Sequence, residues 1–148
     1  MRRLALLLLV TVLLVTIAVG CSQSGGPKLA NVTGTVSLDG VPVEGAGLEF
    51  VADVGAVAYG RTDASGQYYM SFGSSRTGAP LGKNLVRITA GDRVTVGDKK
   101  YESKEIFPKK YNVDSELSVE VTSGSNHFDF DCKSAGEKLQ QPISRGGN

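Results

Sequence analysis

Val32-Thr33-Gly34-Thr35-Val36-Ser37-Leu38-Asp39-Gly40-Val41-Pro42-Val43-Glu44-Gly45-Ala46 is the stretch whose reading decides the fold. Val32, Gly34, Val36 and Leu38 fall on one phase of a period of two, and Thr33, Thr35 and Ser37 on the other. That alternation predicts a strand with one buried and one solvated face. Asp39-Gly40 then supplies a hairpin turn, and Pro42 follows with its φ already set.

The same period recurs along the chain. Leu48 and Phe50 flank Glu49, Ala58 to Thr62 makes a short strand, and Asp63-Ala64-Ser65-Gly66 is a turn. Tyr68, Met70 and Phe72 alternate with Tyr69 and Ser71, and Val86, Ile88 and Ala90 with Arg87 and Thr89. Leu117, Val119 and Val121 alternate with Ser118, Glu120 and Thr122. Beyond the turn at 123–126, Phe128, Phe130 and Cys132 alternate with Asp129 and Asp131. No stretch inside this region has the period of an amphipathic helix. The pattern predicts about seven short strands in one antiparallel β-sandwich, residues 32–132, with a single shared core. Nineteen glycines and no Trp agree with an all-β chain. Two connections are longer, 73–82 and 91–114. The second carries Tyr101, Ile106, Phe107, Pro108 and Tyr111, and its apolar residues predict packing across the sandwich.

The flanks read differently. Met1-Arg2-Arg3 is a positive start, residues 4–19 are apolar, and Ala18-Val19-Gly20 are the small residues of a cleavage site. The apolar run is 16 residues long, short of the ~20 that span a bilayer, so residues 1–20 read as a cleaved export signal. Cys21 stands at the cleavage point, and residues 22–30 are polar and rich in Gly and Ser, which makes 21–31 a flexible tether. Residues 133–148 show little periodicity and read as a loosely docked or disordered tail.

Composition narrows the function. Removing residues 1–20 takes Arg2 and Arg3 away, so Lys+Arg falls from 16 to 14 against 15 acids. A near-neutral chain gives no reason to expect nucleic acid. If Cys21 is acylated, Cys132 is left alone, which excludes a disulfide, and one thiol with one His cannot build a metal site. Asp63, Ser65 and Gly66 lack the distal Glu of a calcium loop and fit an Asx turn. Gly78 to Lys83 is one residue short of a P-loop, with Asn84 where Ser or Thr belongs. His127 is the only histidine, and Ser71, Ser118 and Cys132 have no base and orienter beside them, so no catalytic residue is assigned and no cofactor is implied. Cys132 shares the apolar phase and is expected to be buried and inert. Tyr69, Tyr101, Phe107 and Tyr111 are the candidate partner or ligand surface.

Two resemblances follow from these residues. The cysteine after a charged, apolar and small-residue series resembles the lipobox of bacterial lipoproteins, although Ala18 stands where Leu is usual. That resemblance implies an acylated Cys21 holding the protein to a membrane, and Ser22 after it fits outer-membrane sorting. The stretch 32–46 resembles the opening "V-x-G-x-V-x-x-x-G-x-P-(V/L)-x-G-A" of carboxypeptidase regulatory-like domains, and Thr62 to Tyr68 is similar to their "T-D-x-x-G-x-Y". With Gly78 to Lys83, Phe107 to Asn112 and Asn126 to Asp131, the chain resembles small bacterial lipoproteins built on this transthyretin-like sandwich. The resemblance implies a non-catalytic envelope module that contacts an envelope protein or polysaccharide. The alternative is an accessory protein binding a carbohydrate or other small ligand. An apolar pocket lined by Tyr101, Phe107 and Tyr111 would favour the alternative, and a flat surface with an open edge strand the module.

Overall fold

Asp39 and Gly40 both have positive φ, 52° and 82°, the geometry of a two-residue hairpin turn. They join β1 (Leu29–Leu38) to β2 (Val41–Ala52), with Leu38 opposite Val41. The computed structural model describes residues 26–102 and 105–134. The expected signal peptide at 1–20, Cys21, Ser22 and residues 135–148 of the expected tail lie outside the described residues.

Nine further strands follow: β3 (Val57–Arg61), β4 (Gln67–Phe72), β5 (Arg76–Thr77), β6 (Ala79–Pro80), β7 (Gly82–Val96), β8 (Lys99–Glu102), β9 (Ser118–Val121), β10 (Ser125–His127) and β11 (Phe130–Cys132). The described fold is therefore all-β, and most pairings are antiparallel. The strand order is β10-β1-β4-β3-β2-β7-β8, and β1 also pairs with β2. That extra pairing closes a ring of β1, β4, β3 and β2, so the sheet rolls around one core.

Four expectations change. Among the described residues, eleven strands in one hydrogen-bonded network replace the seven of a two-sheet sandwich. The connection 73–82 contains β5 and β6, which pair with β4 and β1. The connection 91–114 begins as the end of β7 and its hairpin with β8, where Val94 lies opposite Tyr101 and Val96 opposite Lys99. The first strand starts at Leu29, where 21–31 was expected to be tether, because Arg76 donates to the Pro27 carbonyl (2.8 Å) and Leu81 N–H to the Lys28 carbonyl (3.0 Å).

The chain end also returns in an unexpected sense. β10 and β11 both run parallel to β1, with Thr33 opposite His127 and Ser37 opposite Asp131. Between them the backbone breaks at Phe128-Asp129, where it crosses Gly34 closely. A Cβ on Gly34 would overlap the Phe128 carbonyl. Only glycine lets the two backbones meet there.

The core is the inward phase of the strands. Val32, Val36, Leu38, Phe50, Met70, Val86 and Ile88 are each at most 1 % exposed. Phe50 sits against Tyr68, Phe128 and Phe130, with ring centroids 6.3–6.5 Å apart. Tyr68 keeps its hydroxyl bonded by donating to the Phe128 carbonyl at 2.7 Å, as a buried phenol requires.

Candidate functional site

The outward phase of the same strands carries the polar surface. Asp63 sets the turn between β3 and β4: its Oδ1 accepts from Ser65 N–H (2.8 Å), the Ser65 hydroxyl (2.7 Å) and Gln67 N–H (2.9 Å). This is the Asx turn expected from the sequence. The Ser65 hydroxyl, chiefly, holds the Asp63 carboxyl below its ordinary range. Gly66 takes φ 77°, and a Cβ there would lie 2.7 Å from the Val36 carbonyl.

That turn fixes the register of β4 against β1, with Thr33 opposite Tyr69 and Thr35 opposite Gln67. Tyr59 pairs with Ser71 and Gly60 with Met70, so the next position sets Arg61 opposite Tyr69. Thr33 in turn faces His127. Arg61, Tyr69, Thr33 and His127 thus form one row across four strands, and all four are exposed. Paired residues share a sheet face, so the row follows from register alone. A cleft of about 470 Å³ lies along it, lined also by Asp63 and Gln67. A neighbouring cleft of about 270 Å³ shares Arg61 and Tyr69 and adds Tyr59.

The far end of the row is tied by side chains. The Thr35 N–H and hydroxyl both donate to Asp129 Oδ1, at 2.8 and 2.7 Å, in place of a backbone acceptor at the break between β10 and β11. The Thr35 hydroxyl is the main cause that lowers the Asp129 carboxyl. His127 Nε2 lies 3.1 Å from the same oxygen, and Nδ1 lies 3.3 Å from the Thr33 hydroxyl. A neutral ring with its proton on Nε2 satisfies both contacts. Further along, the Ser37 hydroxyl donates to Asp131 at 2.8 Å, and Lys133 Nζ to the same carboxylate at 2.6 Å.

The four aromatic residues singled out from sequence do not share one surface. Tyr69 is 68 % exposed at the centre of the row, whereas Tyr101 and Phe107 are core residues, 5 % and 3 % exposed. Tyr101 faces inward because it pairs with Val94 of the buried phase. Phe107 is drawn in where the Glu105 carboxylate accepts from Ala90 N–H and Phe107 N–H, both 2.9 Å. Tyr111 is half-buried, its hydroxyl accepting from Lys133 N–H at 3.0 Å. The apolar pocket that would have joined Tyr101, Phe107 and Tyr111 is therefore core. Arg61, Thr33 and His127 were missed as site residues. The outward phase of Thr33 was legible, but the parallel return that brings His127 beside it was not.

Chemically, the face offers hydrogen-bond donors, acceptors and an open ring. The Ser71 hydroxyl donates to the Tyr59 carbonyl at 3.2 Å. The Cys132 thiol is buried, and burial pushes it up to about 12, so it stays protonated. Among the described residues, no group of three His, Cys, Asp or Glu side chains is placed to hold a metal. No family model, curated protein or solved structure matches the chain.

Proposed function

We propose that this chain is a lipid-anchored module of a bacterial cell envelope that works by binding and carries out no reaction of its own. The anchor is an acylated Cys21, and the order of Arg2-Arg3, the apolar run, Gly20 and Cys21 supports it. Two or more acyl chains hold such a protein stably, where one binds only marginally. The family reading is the transthyretin-like group of carboxypeptidase regulatory-like domains, supported by the motifs at 32–46 and 62–68. Ser22 supports the outer membrane as its place.

The observation that carries the binding reading is the exposed row Arg61-Tyr69-Thr33-His127 over a four-strand base. A large aromatic ring open to solvent among polar groups is the composition of a contact site. The partner is an envelope protein or polysaccharide. A narrower reading gives the face a carbohydrate ligand, and the cleft along Tyr69 favours it.

The test places a photo-crosslinking residue at position 69 or at position 113 in cells, with the intact mass of the membrane fraction read beside it. Val113 is 72 % exposed, next to a separate cleft lined by Glu49 and Arg87, and serves as the control surface. The proposal expects an acylated chain starting at Cys21, adducts at 69 well above those at 113, and loss of both acyl mass and membrane location in Cys21→Ser. An unacylated chain, or equal labelling at the two positions, would overturn it.

A further inference from the structure

The exposed tyrosines are not scattered. Tyr59 and Tyr69 are 53 % and 68 % exposed and sit on neighbouring strands of one face. Tyr59 opposes Ser71, two residues from Tyr69, so the two tyrosines are diagonal neighbours, about 7–8 Å apart at Cα. They line the same cleft, and Tyr69 also lines the larger one beside it. From Arg61 to His127 the row crosses three strand gaps, ~14 Å at ~4.8 Å each. Two adjacent rings followed by a polar row is a platform for something flat-faced and repeating.

The polar groups are mixed in kind. Thr33 and Gln67 can both donate and accept, Arg61 only donates, and Asp63 and Asp129 only accept. A ligand rich in hydroxyls, which do both, can match such a set. The charges are mixed too. Arg61 stands against Asp63 and Asp129 on the same face, and the neutral His127 ring lies 3.1 Å from Asp129. A face carrying both signs, with the acids in slight excess, gives a polyanion no electrostatic hold.

Arg61 ends the row on the β3 side. Its guanidinium lies over Gly91 and Gly45, where a Cβ would come within 3.1 and 3.5 Å of Nη2. Both glycines lie on the β2 and β7 side of β3, so the guanidinium leans away from Tyr69 and marks the end of the row. Among the described residues no acid pairs with Arg61.

We infer that this face binds a neutral oligosaccharide, two sugar rings stacked on Tyr59 and Tyr69 and their hydroxyls bonded along Arg61, Gln67, Thr33 and His127. The inference rests on the binding reading above and names its ligand. An aromatic ring and a sugar ring meet through apolar faces, and the polar groups beside them fix orientation. Because no net charge drives the contact, affinity is insensitive to salt.

The experiment titrates the full chain in detergent with neutral hexasaccharides (glucan, mannan, galactan and xylan), with polyuronate and polyglutamate alongside. At least one neutral probe binds, with affinity changing less than twofold between low and high salt. Tyr69→Ala weakens it at least tenfold, Tyr59→Ala less, and Tyr69→Phe restores most of it, because the ring and not the hydroxyl makes the contact. Tighter, salt-dependent binding of either polyanion overturns the inference. So does neutral binding that ignores Tyr69→Ala, or no binding by a chain whose unfolding shows it folded. If no sugar binds while crosslinking at position 69 still captures a partner, the ligand class falls and the binding face stands.

Discussion

Tyr68 and Tyr69 are neighbours in β4 with opposite fates. Tyr68 is 3 % exposed, packs on Phe50 and Phe130, and closes a hydrogen bond to Phe128. Tyr69 is 68 % exposed over a cleft. The difference is one step in a period of two, yet it separates the residues that hold the sheet together from those that can meet a partner. β1 repeats the division: Val32 and Val36 are core, while Thr33 and Thr35 reach across the outward face to His127 and Asp129.

The sharpest way to break the inward half is at Gly34. A Cβ there meets the backbone of Phe128 and, at 2.9 Å, the Tyr68 hydroxyl. Gly34→Val should cost about 3 kcal/mol or more, since backbone cannot swing aside as a side chain can. Denaturant unfolding would show the lowered midpoint, and hydrogen exchange would show β10 and β11 opening first. Tyr68→Phe should cost less, about 1–3 kcal/mol, because it leaves the Phe128 carbonyl without its donor.

The outward half is exposed by pH. Asp39, Asp63, Asp129 and Asp131 are all held below the ordinary carboxylate value of 3.8, by Ser134, Ser65, Thr35 and Lys133 first in each case. Groups lowered in the folded state stabilise it above their unfolded value and lose that contribution as pH falls through the folded one. Stability should therefore be flat from neutral pH to about 5 and decline below about 4. Thr35→Val removes the main cause at Asp129, so it should lower stability at neutral pH and make the acid limb shallower, the two proteins converging at low pH. An unchanged limb would mean that the contact of Thr35 with Asp129 does not persist in solution.

The sequence made one half of this comparison much plainer than the other. The strand phases from Val32 to Phe72, the turn at Asp39-Gly40 and the Asx turn at Asp63 are local, so a few adjacent residues declare them. The inward position of Tyr101 was hidden because Gly91-Asp92-Arg93 interrupts the apolar alternation of β7, which nonetheless continues to Val96 as one strand. The site was hidden for a different reason. Thr33 and His127 are 94 residues apart, and nothing local writes the register of a parallel pair. Tyr69 and Thr33 were visible as outward, but the row they share with Arg61 and His127 became visible only once the strands were paired.

The division between the two phases has a direct test in the unfolding of Tyr68→Ala and Tyr69→Ala, full chains side by side in denaturant. The account predicts a loss of about 3–5 kcal/mol for the first, as for other large buried rings. For the second it predicts a change within about 0.5 kcal/mol, as for an exposed residue with no structural task. A loss at Tyr69 as large as that at Tyr68 would contradict it, because the ring would then belong to the fold and not to a partner.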